Sequence, residues 1–207
     1  MSRSGPVSRR SVKTEYIETE TGNRISRKAR IEGKPHIQLG GKSMIMAGVI
    51  LRGDLHRKPE PSADDERKDK TVITAISIGR GCVISTGCVL RPPSRISKDQ
   101  MTFFPIRISD NVFIGPDTHI SAGTIGANCY IGAGCVLSPF SYIRENCKIL
   151  PGTVVPHSMT VPPGCVVGGR PARILGDVGD GWGHGGGGEG EEWIEGGDLK
   201  RLVKAIQ

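Results

Sequence analysis

Aliphatic residues recur at a strict six-residue interval through most of the chain, a period that fits neither an α-helix nor a simple strand. The frame begins with two hexads at Ile45 and Leu51. It continues at Ile78, Ile84 and Leu90, then at Ile108, Ile114 and Ile120, and after one five-residue step at Ile125, Ile131, Leu137, Ile143, Ile149, Val155, Val161 and Val167. A period sustained over so many hexads indicates an internal repeat.

Two further positions of each hexad are restricted in size and type. The third residue after the aliphatic is Gly, Asn or Asp at Gly81, Gly87, Asn111, Asp117, Gly123, Asn128, Gly134, Asn146, Gly152 and Gly164, with Phe140 and Ser158 as exceptions. These three residue types tolerate a positive φ at least cost, so we predict a corner there. The fourth residue is small or compact at Cys82, Cys88, Val112, Thr118, Thr124, Cys129, Cys135, Ser141, Cys147, Thr153 and Cys165, which predicts a tight interior corner.

The repeat predicts an all-β fold, a single-stranded parallel β-helix in which three hexads complete one triangular coil and the aliphatic side chains stack inside. About five or six coils, spaced at ~4.8 Å, would form a prism about 25 to 30 Å long. Hexapeptide repeats with these corner residues resemble the left-handed β-helix family. The left hand is implied by that resemblance and does not follow from the spacing.

Composition divides the chain into four segments. Residues 1–13 are predicted to be a basic disordered tail, and residues 14–175 the β-helix. Loop excursions are expected at 56–75, which is rich in charge, and at 91–105, where Phe103 and Phe104 should fold back onto the prism. Residues 176–197 read as a Gly-rich acidic linker, and residues 198–207 as a short helix with Asp198 as its N-cap. This helix could cover an open edge of the prism.

Charge and hydropathy exclude several classes of function. The net charge of +7 is concentrated in the flanks, and aromatic residues make up only 4% of the chain. No basic stripe alternates with stacking residues, so nucleic-acid binding is not expected. No apolar run approaches the ~20 residues of a membrane span, which argues against direct membrane insertion.

The six cysteines all occupy the compact corner position, where Ser, Thr and Val also occur. They are therefore predicted to be small buried side chains and not disulfide or metal ligands. No His or Cys pair has the spacing of a zinc site.

Two enzyme families are partial matches. The segment "ILRGDL", residues 50–55, is similar to the Arg-Gly-Asp segment of γ-class carbonic anhydrases, but Arg91, Pro116 and Ser121 stand where that family has zinc-binding histidines, and His119 is out of phase. The segment "VPPGCVVGGRPARIL", residues 161–175, resembles the end of hexapeptide acyltransferases, which use a His as general base. His36, His56, His157 and His184 have no recognisable carboxylate partner. An acyl-CoA-dependent acyltransferase stays the alternative.

The longest resemblance spans about residues 14–175 and is to the dynactin subunit 5 family, β-helix subunits of the pointed-end complex of dynactin. Its most specific part is the pairing of "RPP" with "FFP" across the excursion at 91–105. The charged insertion after Asp54 and the Gly-rich acidic tail depart from the family pattern.

That resemblance implies a non-catalytic subunit that helps couple dynein to membrane cargo such as early endosomes along microtubules. The implied location is the cytoplasm and its microtubule-associated cytoskeleton. The implied partners are other pointed-end subunits including a second β-helix subunit, the actin-related pointed-end protein, and dynein cargo adaptors. No catalytic, cofactor-binding or metal-binding residue is expected, no cofactor is implied, and the partner-binding residues stay unassigned.

Overall fold

A computed structural model of the chain describes residues 15–57, 73–97 and 100–179. Within these ranges the elements are short β-strands and one 3₁₀ turn, Lys34–His36. The described residues include no helix with the length and apolar character needed to cross a bilayer. The tail 1–13, most of the charged insertion, most of the linker 176–197 and the predicted helix 198–207 lie outside the described residues.

Three sheets form the walls of a triangular prism, and each coil of the chain contributes one short strand to each wall. Sheet A contains β1 (Tyr16–Glu18), β2 (Arg24–Ser26), β5 (Met44–Ile45), β8 (Val83–Ile84), β13 (Phe113–Ile114), β16 (Tyr130–Ile131), β19 (Lys148–Ile149), β22 (Cys165–Gly168) and β23 (Arg173–Asp177). Sheet B contains β3 (Arg30–Glu32), β6 (Ile50–Arg52), β9 (Val89–Leu90), β14 (His119–Ile120), β17 (Val136–Leu137) and β20 (Val154–Val155). Sheet C contains β4 (Ile37–Leu39), β7 (Ile76–Ile78), β12 (Ile106–Ile108), β15 (Thr124–Ile125), β18 (Tyr142–Ile143) and β21 (Thr160–Val161).

The parallel register stacks the predicted aliphatic positions inside the prism. On sheet A, Ile84 aligns with Ile45 on one side and with Ile114 on the other, and Ile131 follows Ile114. Every aliphatic position of the predicted frame, from Ile45 to Val167, is buried in one continuous core. The hexad frame is confirmed.

The prism begins one coil earlier than the predicted frame. Ile25, Ile31 and Leu39 occupy the inward positions of this first coil, in β2, β3 and β4, and are half-buried against the core. The six-residue period does not reveal this first coil, because the 3₁₀ turn lengthens the step from Ile31 to Leu39 to eight residues.

The corners have the predicted left-handed backbone, with one exception. Asn111, Asp117, Asn128 and Asn146 have φ between 54° and 62°, and the glycines at the other predicted corners also have positive φ. Gly123 does not, so the predicted corner there is wrong.

The five-residue step accounts for the difference, because it removes one residue from that turn. Gly123 accordingly takes the hydrogen-bonding place that Cys129 takes one hexad later: its carbonyl accepts from Arg107 N at 3.1 Å, as that of Cys129 does from Phe113 N at 3.0 Å. Thr124 was predicted to be an interior corner residue but is half-buried within β15, which is a second correction with the same cause.

The two exceptions to corner composition, Phe140 and Ser158, also have positive φ, 58° and 59°. The stacked coils therefore impose the corner on side chains that disfavour it, at a typical cost of roughly 1–2 kcal/mol each.

The excursion at 91–105 contains a β-hairpin, β10 (Ser94–Ser97) with β11 (Gln100–Phe103). Phe104 returns to the prism and packs edge-on against Phe140, with ring centroids 5.2 Å apart, which confirms the prediction for Phe104. At the far end of the chain β23 folds back antiparallel on β22 and ends at Asp177, two residues beyond the predicted boundary at 175.

Candidate interaction surfaces

The described histidines lie at three separate places on the prism. His36 and His56 stack with ring centroids 3.7 Å apart, and His36 Nδ1 lies 2.7 Å from the carbonyl oxygen of Ile73. His157 packs edge-on against Phe140, and its Nδ1 lies 2.7 Å from Ser158 Oγ. His119 is exposed on sheet B. His184 lies outside the described residues.

The positions compared with zinc ligands do not form a metal centre within the described ranges. Arg91 is exposed, whereas Pro116 and Ser121 are half-buried. No group of three or more His, Cys, Asp or Glu side chains converges anywhere in residues 15–57, 73–97 or 100–179.

The Arg-Gly-Asp segment joins the first two coils electrostatically. Arg52 donates two hydrogen bonds to the Asp54 carboxylate, each 2.8 Å long, and its Nε lies 2.9 Å from Glu32 Oε2 on the neighbouring strand. The hydrogen bonds from Arg52 lower the pKa of Asp54. Gly53 has no room for a side chain, because an added Cβ would lie 2.7 Å from the carbonyl oxygen of Gly33. This segment therefore has a structural role at the corner.

The buried thiols link successive coils. All six cysteines are free and buried, which confirms the prediction that they pack in the corners. Several also donate to a carbonyl oxygen one coil further along: Cys82 to Ser109, Cys88 to Gly115, Cys129 to Arg144, Cys135 to Leu150 and Cys147 to Pro162, at 3.0 to 3.2 Å. Thr118 makes the same bond to Gly132 at 3.1 Å. Ser141 and Thr153 occupy the same position but donate within their own turn, to the carbonyl oxygens of Ser138 at 2.8 Å and Leu150 at 2.6 Å. What the residues at this corner share is therefore compact size, and the bond to the next coil is made by the cysteines and Thr118.

Three asparagines form an amide ladder along the corner beside sheet A. Asn111 Nδ2 donates to Asn128 Oδ1 at 3.1 Å, and Asn128 Nδ2 donates to Asn146 Oδ1 at 3.3 Å. The sequence predicted only the backbone conformation of these residues. Their spacing of 17 and 18 residues, about one coil in each case, is the signal that could have predicted the ladder.

The hairpin β10–β11 presents an apolar pair to solvent. Ile96 and Met101 are cross-strand neighbours and are 71% and 57% exposed. The base of the hairpin is fixed by Phe104 on Phe140 and by Arg95, whose guanidinium carbon lies 5.7 Å from the centre of the Phe140 ring. The hairpin is thus an anchored projection with an apolar tip.

The two ends of the prism differ in chemistry. At the N-terminal end, β1 is the edge strand of sheet A and pairs antiparallel with β2. Ion pairs there join Arg24 to Glu18 and Lys28 to Glu15. At the C-terminal end, β23 is the edge strand of sheet A and pairs antiparallel with β22. Its Ile174 and Leu175 side chains are exposed, and Leu175 is 61% exposed. Strand β21 is the last strand of sheet C among the described residues.

A shallow polar depression lies on sheet C. It has a volume of about 310 Å³ and is lined by Gln38, Thr74, Ser77, Pro105 and Arg107. Its lining among the described residues includes no carboxylate, histidine or thiol that could act as a general base or nucleophile.

Solved structures with a similar fold are acyltransferases. A perosamine N-acetyltransferase from Caulobacter crescentus is 22% identical with a TM-score of 0.53, covering 75% of this chain and 57% of the enzyme. The N-acyltransferase AntD from Bacillus cereus is 15% identical with a TM-score of 0.58, covering 89% of each chain. A hexapeptide transferase family protein from Anaplasma phagocytophilum is 18% identical with a TM-score of 0.53, covering 89% of this chain and 93% of that protein. At these identities the likeness shows the fold alone.

The fold thus defines the class: a hexapeptide-repeat protein with the left-handed parallel β-helix architecture. The sequence matches a family described as Dynactin subunit 5 over residues 66–182, more than half of the chain. A Dynactin subunit 5 from Dictyostelium discoideum is 36% identical over 109 residues, which are 53% of this chain and 46% of that protein. The chain belongs to the dynactin subunit 5 family. It spans about half the length of the curated relative that it matches.

Proposed function

We propose that this chain is a non-catalytic subunit of the dynactin pointed-end complex that helps couple dynein to membrane cargo such as early endosomes. The observation that carries the proposal is the family match over residues 66–182. The proposed location is the cytoplasm, with the microtubule-associated cytoskeleton. The proposed partners are a second β-helix subunit, the actin-related pointed-end protein and dynein cargo adaptors.

The chemistry of the prism ends supports the C-terminal end as the contact with the second β-helix subunit. Interface cores are depleted in charged residues and enriched in apolar ones. Ile174 and Leu175 on β23 fit that description, whereas at the opposite end the exposed Ile17 of β1 lies among the ion pairs of Arg24 and Lys28. The terminal strands of a parallel β-helix can also pair with strands of a second β-helix. Strand β21, the terminal strand of sheet C, lies at this end.

The hairpin β10–β11 is the proposed contact for a cargo adaptor. It projects from the side of the prism, so it stays accessible when the ends are occupied. Its apolar tip, Ile96 and Met101, exposes hydrophobic side chains to solvent. Exposed apolar surface of this kind often marks a protein contact.

Co-purification tests the proposal. A tagged full-length chain expressed in cells is expected to recover dynactin, and Leu175→Glu is expected to reduce that recovery because it places a carboxylate in the apolar contact. Ile17→Glu is the matched control, an exposed apolar residue on an antiparallel edge strand at the other end. Failure of the wild-type chain to co-purify with dynactin would overturn the proposed function. If Leu175→Glu and Ile17→Glu reduced the recovery of dynactin equally, only the assignment of the C-terminal end as the contact with the second β-helix subunit would be overturned.

Endosome transport tests the proposed role in coupling dynein to cargo. Cells lacking the chain are expected to keep dynactin's filament assembled and dynein on microtubules while endosome movement fails. Re-expressed Ile96→Glu is expected to restore co-purification with dynactin without restoring movement. Normal endosome movement in cells lacking the chain would contradict the cargo role.

An acyl-CoA-dependent acyltransferase is the second candidate, favoured only by the similar folds of solved acyltransferases. That reaction needs a general base at the acceptor. Neither His36 nor His157 is among the lining residues of the depression on sheet C. The family match over residues 66–182 supports the non-catalytic proposal.

A further inference from the structure

The outward side of sheet B carries a mainly aliphatic row. The row runs in register over the strands from β6 to β20 and consists of Ile50, Val89, His119, Val136 and Val154. Val136 and His119 are exposed, and the other three side chains are half-buried. The described strands of sheet C have no aliphatic residue at this position, which is occupied by Gln38, Ser77, Arg107, Thr124, Tyr142 and Thr160. Sheet B is therefore the more apolar of these two walls.

The two margins of this wall differ in height. The margin toward sheet A is a column of corner residues, all but one of them glycine: Gly48, Gly87, Asp117, Gly134 and Gly152. The margin toward sheet C consists of the residues that follow the inward aliphatics: Arg52, Arg91, Ser121, Ser138 and Pro156. We call the aliphatic row and its two margins the B face. One margin of the B face is low because it has almost no side chains, and the other margin is raised.

Two opposite charges lie on opposite margins of the B face. The Asp117 carboxylate leans over Gly87, where it would clash with an added Cβ. Its charge therefore lies at the level of β9, the strand that Arg91 follows. Both Asp117 and Arg91 are exposed, and neither forms an ion pair with another residue of the described ranges. Both charges are accordingly accessible to a partner.

We propose that two copies of this chain associate through their B faces, with their prism axes parallel and a twofold axis running between the two aliphatic rows. Such an interface is isologous, so the same patch of both copies forms it. Each coil faces the same coil of the second copy, and the low margin of one copy faces the raised margin of the other. Arg91 of each copy then lies over Gly87 of the other copy and beside its Asp117.

Shape and charge both favour a second copy in this orientation. Arg91 lies opposite a glycine, whereas the small Ser121 lies opposite Asp117, the one corner of the low margin that has a side chain. Opposite charges then attract across the interface. Antiparallel prism axes would instead place Asp117 against its own copy and glycine against glycine, which combines repulsion with a gap.

The size of the B face predicts weak association. Four strand spacings of ~4.8 Å and five residues in width give a face of about 19 by 13 Å, roughly 250 Å² for each copy. Stable interfaces bury about 800 Å² on each partner. The dimer is therefore expected to be reversible and to form at high protein concentration. The prism ends and the hairpin β10–β11 lie outside the B face, so the inference does not depend on the proposed contacts with dynactin.

Sedimentation velocity of the full-length chain over a range of concentrations tests the proposal. The average mass is expected to rise from that of a monomer toward that of a dimer. Val136→Glu should raise the Kd at least about tenfold, because it places two carboxylates in the apolar centre of the interface. Tyr142→Glu is the matched control, an exposed residue at the same repeat position on sheet C, and it should leave the Kd unchanged.

Three results would overturn the proposal. The first is a monomer at every concentration up to the solubility limit. The second is a dimer that dissociates in Tyr142→Glu and persists in Val136→Glu, which would assign the contact to sheet C. The third is a trimer, which a twofold interface cannot form.

A charge exchange tests the orientation of the two copies. Arg91→Glu is expected to weaken the dimer, because a carboxylate then faces Asp117 of the other copy. Adding Asp117→Lys should restore it, and lysine can adopt the backbone of this corner, since Lys42 has a φ of 59°. Circular dichroism verifies that each variant keeps the fold. A double variant that associates as weakly as Arg91→Glu alone would contradict the parallel arrangement.

Discussion

Phe104 contacts Phe140 edge-to-face, with ring centroids 5.2 Å apart, and this contact anchors the hairpin excursion on a strained corner of the prism. Phe140 has a φ of 58°, a conformation that glycine or asparagine adopts at most other corners. The aromatic contact compensates in part for the unfavourable backbone, since edge-to-face pairs typically contribute about 0.5–1.5 kcal/mol.

Glycine at the two strained corners is expected to have effects of opposite sign. Ser158→Gly should stabilise the protein by roughly 0.5–1 kcal/mol, because it relieves the left-handed strain and removes only an exposed hydroxyl contact. Phe140→Gly should destabilise it by about 1 kcal/mol and speed proteolysis of β10–β11, because the hairpin loses its anchor. Chemical denaturation measures both. A stabilising Phe140→Gly would show that the ring contacts contribute little.

A carboxylate inside the prism is expected to be costly. Ile131 is fully buried between Ile114 and Ile149, so Ile131→Asp should lower the free energy of unfolding by about 3–5 kcal/mol. Val136→Asp, on an outward position, should cost less than ~1 kcal/mol. Urea denaturation compares the two variants. A stably folded Ile131→Asp would invalidate the hexad frame.

The six thiols are expected to react slowly in the native protein. All are buried, and a thiol reagent needs access to the thiolate. Labelling at neutral pH should therefore be slow for the folded chain and complete after unfolding in guanidinium chloride. Mass spectrometry identifies the modified residues. Rapid native labelling of Cys129 or Cys135 would contradict their assignment to the interior corners.

Stability is expected to fall at alkaline pH. Burial raises the pKa of Cys82 and Cys88 to about 11, from an ordinary value of 9.0. Between these two values the unfolded chain loses protons that the folded chain retains, so this contribution is complete below pH 9 and declines toward pH 11. Denaturation midpoints measured from pH 8 to 11 should decrease, and less steeply in a Cys82→Ser, Cys88→Ser variant. Equal pH profiles for the two proteins would contradict the thiol origin.

Coenzyme A is expected to leave the melting temperature unchanged. A ligand that binds only the folded state stabilises it, by about 2.7 kcal/mol at a hundredfold excess over its Kd. Differential scanning calorimetry with and without coenzyme A provides the measurement, with an acyltransferase of similar fold as positive control. An upward shift of several degrees would bring the acyltransferase candidate forward.

The sequence alone determined the repeat, the core and most corners. The reason is that each hexad must meet the same three local requirements: an aliphatic residue faces inward, a corner residue accepts positive φ, and the next residue is compact. Residues such as Ile131, Asn128 and Cys129 meet these requirements one by one, so their roles can be read without knowing which coils are neighbours.

Tertiary structure decided what depends on contact between distant coils. The corners at Phe140 and Ser158 are imposed by the stacked coils against local preference, and the five-residue step moves Gly123 and Thr124 out of their predicted places. The contact between Phe104 and Phe140 and the burial of Met44 and Val83 on the outward side of sheet A belong to the same group. Period six specifies where a side chain points, but only the folded prism specifies what lies opposite it.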